Sequence, residues 1–351
     1  MIEIHSSVTA ALPAPGHAEI TEAITTEPTK AEHDRIARGI TALSAIEYRP
    51  PETIVAPRRP LRLAAWNAER LKHGEASAAL FRGLDPDIIL LTETDIGMAR
   101  SGNRHTTADL AAALDMGYAY GVEFVELGLG DDRERAWHKG QRNHASLHGN
   151  AILSRLPLHD LNLIRLDSGG RWFSDRLNHK GKGTQRRLGG RMALAARIAT
   201  DDGDFVVVSV HLESHSDAQE RARQMTTLLA ALGGCYGSAR MVIGGDCNTA
   251  ALPVVDETQP ETSSLWVDRC EAYEPLFDVV RDAGFTWREA NDMAATQRTL
   301  PDGKPIPPFR RIDWLFTRGL AATASRTVAA VDAENAAISD HDALVVDLAI
   351  A

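Results

Sequence analysis

From Leu61 onward the chain alternates short apolar runs with amphipathic stretches. Runs rich in Val, Ile and Leu predict strands over 61–67, 87–92, 150–153, 192–199, 205–211, 241–244, 312–316 and 343–350. Apolar residues at helical spacing predict helices over 75–84, 107–114, 217–232 and 275–283. In the 217–232 segment, Asp217 is placed to cap the start and Gly233-Gly234 to stop the helix. Strands mixed with helices over such a length predict an α/β or α+β sandwich with covered sheets.

The first sixty residues read differently. Pro13, Pro15, Pro28, Pro50, Pro51, Pro57 and Pro60 punctuate them. Ile36, Ile40, Leu43 and Ile46 recur at helical spacing and predict one helix from Lys30 to Ile46. The expected organisation is an N-terminal extension over 1–60, partly disordered with one helix, and a main domain over 61–351.

Composition narrows the class. The 351 residues are 44% hydrophobic, enough for a substantial core. Thirty-eight Lys and Arg against 48 Asp and Glu give a net charge of −10, which disfavours a broad electrostatic grip on nucleic acid or anionic membrane. Cys235, Cys247 and Cys270 are too few and scattered for a disulfide framework or a cysteine-based zinc site, which suits a reducing compartment. No basic, then apolar leader opens the chain and no run of membrane-spanning length occurs, so a soluble cytoplasmic protein is expected. The charge is uneven. Between Arg171 and Arg191, seven cationic side chains against Asp175 give +6, leaving −16 on the remainder. That glycine-rich segment reads as a basic loop able to bind anions.

Candidate chemistry gathers at the strand ends. Asn67 and Glu69 follow the first strand, Glu93 the second, and His211 the fifth. Asp246 and Asn248 follow the sixth, Asp313 lies in the seventh, and Asp340-His341 precede the last. Each signal alone is weak, but strand ends on one sheet edge are neighbours in space. Glu69, Glu93 and Asp340 are oxygen ligands suited to a hard cation such as Mg²⁺, and zinc fits less well. Asp246 and Asn248 can orient and deprotonate a water. Asp313 and His341 resemble an orienting carboxylate with its imidazole, and His211 adds a donor. This is equipment for metal-assisted attack of water on a phosphoryl group.

The order of these motifs resembles the endonuclease/exonuclease/phosphatase superfamily. The matching stretches are Ala65-Trp66-Asn67-Ala68-Glu69, Ile88-Ile89-Leu90-Leu91-Thr92-Glu93, Gly149-Asn150-Ala151-Ile152-Leu153-Ser154, Val208-Ser209-Val210-His211-Leu212, Gly245-Asp246-Cys247-Asn248, Arg311-Ile312-Asp313-Trp314 and Ser339-Asp340-His341. They run from about residue 61 to 348. The resemblance implies an α+β fold: a four-layer α/β/β/α sandwich, two packed mixed sheets with helices on the outer faces. It implies Glu93 as principal metal ligand with Asn67, Glu69 and Asp340, for Mg²⁺ or alternatively Mn²⁺. It implies Asp246 as general base with Asn248, His341 paired with Asp313 on the phosphoryl group, and His211 on the phosphate or leaving group. It implies Asn150 as a supporting residue on the substrate side of the site. The tyrosine that AP endonucleases carry has no equivalent here.

The substrate stays open among nucleic acid, a phospholipid head group and a small phosphoester. Arg186, Arg187 and Arg191, leading into a strand, are candidate phosphate contacts. No apolar stripe for a membrane surface stands out. A phosphodiesterase or nuclease is the first reading and a phosphomonoesterase or sphingomyelinase-like enzyme the second. A non-catalytic phosphate-binding module is the reading from another class. No protein partner is indicated.

Overall fold

The computed structural model describes residues 2–54, 56, 58–174, 185–254, 266 and 268–350. Its strands are β1 (Ile4–His5), β2 (Ser7–Thr9), β3 (Ala45–Arg49), β4 (Leu61–Arg70), β5 (Ile88–Ile96), β6 (Gly117–Glu126), β7 (Leu147–Ser154) and β8 (His159–Arg165). They continue with β9 (Arg187–Gly189), β10 (Met192–Ile198), β11 (Phe205–His211), β12 (Arg240–Asp246), β13 (Asp313–Arg318), β14 (Leu320–Val328) and β15 (Ala343–Ile350). The α-helices among the described residues are α1 (His17–Thr25), α2 (Lys30–Ala37), α3 (Gly74–Leu84), α4 (Thr106–Ala113), α5 (Asp132–Trp137), α6 (Ala218–Tyr236) and α7 (Leu276–Asp282).

Two mixed sheets pack face to face. One runs β1-β8-β10-β11-β12-β13, the other β14-β15-β4-β5-β7-β6-β3-β2, with β9 added against β6. Alternation along the strands builds the layers. In β4, Leu61, Leu63 and Ala65 face the core between the sheets, while Ala64, Trp66 and Ala68 face a helical layer. In β11, Phe205 and Val207 point to the shared core, and Val206, Val208 and Val210 point outward under α6 and α7. There Met225, Leu228 and Phe277 cover them. Phe81 of α3 and Leu110 of α4 cover the other sheet. The result is an α+β sandwich, helices outside two packed sheets.

Three local readings differ from the sequence pattern. The helix predicted over 30–46 ends at Ala37; Gly39 follows, a 3-10 turn covers Thr41–Leu43, and Ile46 lies in β3. Its apolar residues are buried by three successive elements rather than by one face. Helix α6 passes through Gly233 and Gly234 and stops at Gly237, whose φ of 60° suits glycine. Strands β1, β2, β6, β8, β9 and β14, together with α1, carry no clear period. The described residues among the first sixty therefore hold two α-helices and three strands, and they contribute to both sheets: β1 pairs with β8, while β2 and β3 extend the sheet beyond β6.

Candidate active site

Parallel pairing of β4 with β5 and of β11 with β12 brings four C-terminal strand ends to one edge. Register does the rest. His211 stands opposite Asp246, and Asp246 opposite Asp313, across three neighbouring strands. A Cβ on Gly245 would lie 2.1 Å from the Val210 carbonyl oxygen, so only glycine lets β12 approach β11 just before Asp246. On the facing sheet, β4 and β5 lose register between Asn67 and Arg70, and β5 and β7 between Leu91 and Thr94. Glu69, Arg70 and Leu71 take φ values of 41°, 73° and 52°, and Glu93 takes 57°. A left-handed backbone costs an L-residue about 1–2 kcal/mol. The turns at these positions bring Glu69, Arg70 and Glu93 out of the sheet into the cleft, while Leu71 returns to the core.

Asp246 is the hub. Its Oδ2 accepts from Asn67 Nδ2 at 3.0 Å and has His211 Nε2 at 3.6 Å and His341 Nε2 at 3.8 Å. Its Oδ1 accepts the Asn248 N–H at 2.8 Å, and Asn248 Nδ2 donates to the Leu212 carbonyl. His341 Nδ1 bonds Asp313 Oδ2 at 2.7 Å. A latch between β4 and the turn into β15, neighbours in one sheet, holds His341 in place. Trp66 Nε1 donates to the His341 carbonyl at 2.8 Å, Ser339 Oγ donates to the Asn67 carbonyl at 2.7 Å, and the His341 N–H donates to Ser339 Oγ.

The electrostatics follow from burial and pairing. Burial opposes charge on His341, but the Asp313 carboxylate outweighs it and raises the imidazole pKa well above its ordinary value. Burial and then the Asp313 charge push the Asp246 carboxyl up. Burial raises Glu69 and the Asp340 charge adds to it; burial likewise raises Asp340. Glu93 goes the other way: burial would raise it, but the Arg70 guanidinium, which donates to its Oε2, together with His211, His148 and His341 holds it well below the usual range.

Asn67, Glu69, Glu93 and Asp340 could offer oxygen donors of the kind a hard cation such as Mg²⁺ takes. Glu69 Oε2 is buried without a hydrogen-bond partner, an acceptor that a cation would satisfy. Two basic side chains already stand beside the set. Lys72 Nζ lies 2.7 Å from Glu69 Oε1, and Arg70 lies on Glu93. Among the described residues, the carboxylate and imidazole atoms that close within 4.8 Å of one another belong to Asp246, Asp313 and His341. Their short Asp313–His341 hydrogen bond is what brings them together.

The candidate substrate contacts separate. Arg191 reaches the centre: Nη1 lies 3.0 Å from His211 Nδ1 and bonds Glu123 at 2.7 Å, while Nε bonds Glu213 at 3.2 Å. Arg187 is paired with buried Glu126 at 3.0 Å and stacked on Trp172. Arg186 donates to the Ile24, Thr26 and Phe173 carbonyls and stacks on Phe173, so it anchors the N-terminal helices. Neither Arg186 nor Arg187 contacts His211, Asp246 or Glu93. Asn150 donates to the Met192 carbonyl, and its buried Oδ1 has no partner. Arg176, Lys180 and Lys182 of the basic loop lie outside the described residues. Sequence reasoning missed Arg70, Lys72, Glu123 and the Asp95–His148 pair, 2.8 Å apart, of which His148 lowers Glu93 further. The Glu69-Arg70 dipeptide beside Asn67 was the available signal for Arg70.

Comparisons with known proteins complete the picture. A search of curated protein sequences finds no match. Among solved structures, the fold is similar to an endonuclease/exonuclease/phosphatase from Beutenbergia cavernae DSM 12333, with 21% identity, a TM-score of 0.53 and coverage of 83% of this chain and 71% of that one. It is similar to a functionally unknown conserved protein from Enterococcus faecalis V583, with 16% identity, a TM-score of 0.56 and coverage of 83% and 100%. The catalytic domain of human Nocturnin, solved with a bound sulfate anion, aligns at 18% identity and a TM-score of 0.50, covering 86% and 99%. These likenesses speak for the fold. The model of the Endonuclease/Exonuclease/phosphatase family matches residues 64–341, from the strand before Asn67 to His341 itself. The chain therefore belongs to the endonuclease/exonuclease/phosphatase family.

Proposed function

We propose that the protein is a divalent-metal-dependent phosphoester hydrolase that cleaves a phosphodiester by in-line attack of water. The observation that carries this reading is the convergence of Asn67, His211 and His341 on the single carboxylate of Asp246, with His341 oriented by Asp313. Asp246, pushed up by burial, is suited to accept the proton of the attacking water, and Asn248 keeps its carboxylate aimed. His341 donates its Nδ1 proton to Asp313 and so presents Nε2–H to the charge that develops on the phosphoryl oxygen. His211, backed by Arg191, holds a second phosphoryl oxygen or assists the leaving oxygen. Glu93, Glu69, Asn67 and Asp340 would hold Mg²⁺ or Mn²⁺, which supplies Lewis-acid polarisation of the phosphoryl group.

A small phosphoester is the second reading. Arg171, Arg186, Arg187 and Arg191 are all engaged by protein acceptors, which leaves less of the basic loop for a long polyanion. The purified chain should be screened with Mg²⁺ and Mn²⁺ against DNA, RNA, sphingomyelin and phosphomonoesters. Turnover should vanish in EDTA and fall by roughly 10³ or more in His341→Ala or Glu93→Ala. Unchanged turnover in either variant rules the mechanism out. Metal binding with no turnover on any phosphoester indicates a non-catalytic phosphate-binding module.

A further inference from the structure

Arg70 is an unusual neighbour for a cation-binding carboxylate. The left-handed run through Glu69, Arg70 and Leu71 breaks the pairing of β4 with β5. It sends Glu69 and Arg70 into the same cleft. The guanidinium Nη1 donates to Glu93 Oε2, and Nε stands 3.2 Å from Glu134 Oε1 without making a hydrogen bond. Glu134 is itself held from behind by Arg100 and by the Asp131 N–H. Arg70 thus lies between one carboxylate of the cleft and one of its wall. Its side chain is 17% exposed, so its edge reaches solvent.

Both oxygens of Glu93 are taken by protein donors, Oε1 by Asn67 at 3.3 Å and Oε2 by Arg70. Glu69, Glu93 and Asp340 do not form a close carboxylate triad among the described residues. Arg70 and Lys72 are the cations paired with Glu93 and Glu69. A divalent cation entering there would compete with Arg70 for Glu93, and a displaced guanidinium, still beside Glu134, keeps one side of its fork for an anion.

We propose that Arg70 shares Glu93 with the metal, leaves it when the metal binds, and then takes a phosphoryl oxygen of the substrate. Arg70 is therefore a substrate-binding residue whose availability is set by metal occupancy. The planar fork of arginine suits both partners, a carboxylate and then a phosphoryl group. Because coupling is reciprocal, phosphate should tighten metal binding by the same factor by which metal tightens phosphate binding. This inference rests on the proposed cation site at Glu93.

Calorimetry on the full chain tests it, with MgCl₂ and inorganic phosphate as probes. The wild type should bind phosphate about tenfold more tightly in saturating Mg²⁺ than in EDTA. Arg70→Gln should bind Mg²⁺ several-fold more tightly than wild type and lose that gain in phosphate affinity. Arg70→Lys keeps the charge without the fork; it should bind Mg²⁺ like wild type and show a reduced phosphate gain. It also serves if Arg70→Gln does not fold. Mg²⁺ affinity unchanged in Arg70→Gln, or a full phosphate gain in Arg70→Lys, overturns the role of Arg70. If Glu93→Ala abolishes Mg²⁺ binding in those same experiments, the cation site stands and only Arg70 is misassigned. Failure of the wild type to bind Mg²⁺ at all overturns the cation site, and this inference with it.

Discussion

At the scale of single residues, the site depends on two backbone-strained turns and one imidazole. Asp313 orients His341 and favours its charged form. Asp313→Asn keeps the shape but removes the charge and changes the tautomer preference. It should lower kcat by roughly 10²–10⁴ with Mg²⁺ affinity retained, as steady-state kinetics and calorimetry will read. Glu69 is raised by burial and by Asp340, and one of its oxygens is unpaired. Glu69→Gln should therefore stabilise the metal-free protein by about 1 kcal/mol while weakening Mg²⁺ binding, since a buried unsatisfied acceptor costs about that much or more. A thermal melt with and without Mg²⁺ shows both signs. Asn67, Glu93, His211, Asp246, Asn248, Asp313, Asp340 and His341 were legible because polar side chains at the ends of apolar strands have no place in a core. Arg70 and Glu134 were not, because the left-handed run that turns Arg70 inward contains no glycine to mark it. Nor does the sequence say that Arg186 will be claimed by carbonyls at residues 24 and 26.

At the scale of elements, a buried charge network ties α5 to the sheet behind the site. Arg100, fully buried, bonds Asp95 on β5 and also reaches Glu126 on β6 and Glu134 on α5. Arg100→Ala removes the cation that these three buried carboxylates share, leaving Glu126 to Arg187, Glu134 to Arg70 and Asp95 to His148, and should cost about 3–5 kcal/mol, read by urea denaturation. The network also sets an acid limit. Burial would raise Glu134, but Arg70 and Arg100 lower it from 4.5 to about 2. Its contribution is present above pH 4.5 and is lost as the pH falls through about 2, because the unfolded chain then binds the proton first. Acid unfolding in that window should be shallower in Arg100→Ala; an identical profile would remove the network from the explanation. The strands and helices most easily read are those with one clear period. Strand β6 was hidden because all ten of its residues are buried, leaving no alternation to see. Strand β14 was hidden for the opposite reason: it is an edge strand of small, half-exposed residues.

At the scale of the whole molecule, the N-terminal residues do more than precede the domain. Ile4 and His5 pair with β8 on one sheet, and Ser7–Thr9 pair with β3 on the other. A chain lacking residues 1–12 leaves both of those edges open, and unpaired edges recruit further strands. Such a truncation should shift the protein from its native size toward self-associated species in size-exclusion chromatography with light scattering, at unchanged Mg²⁺ affinity. The pairing of Ile4 with Ile164 also has a temporal side. Their separation of roughly 160 residues takes about 10–30 s to synthesise at 5–20 residues per second. Ile4 and His5 thus wait through nearly half of the synthesis of these 351 residues, and β4 waits longer still for its partner β15. Until β8 has formed there is nothing for Ile4 to pair with, so a nascent chain carries this edge strand unpaired through about the first half of its synthesis.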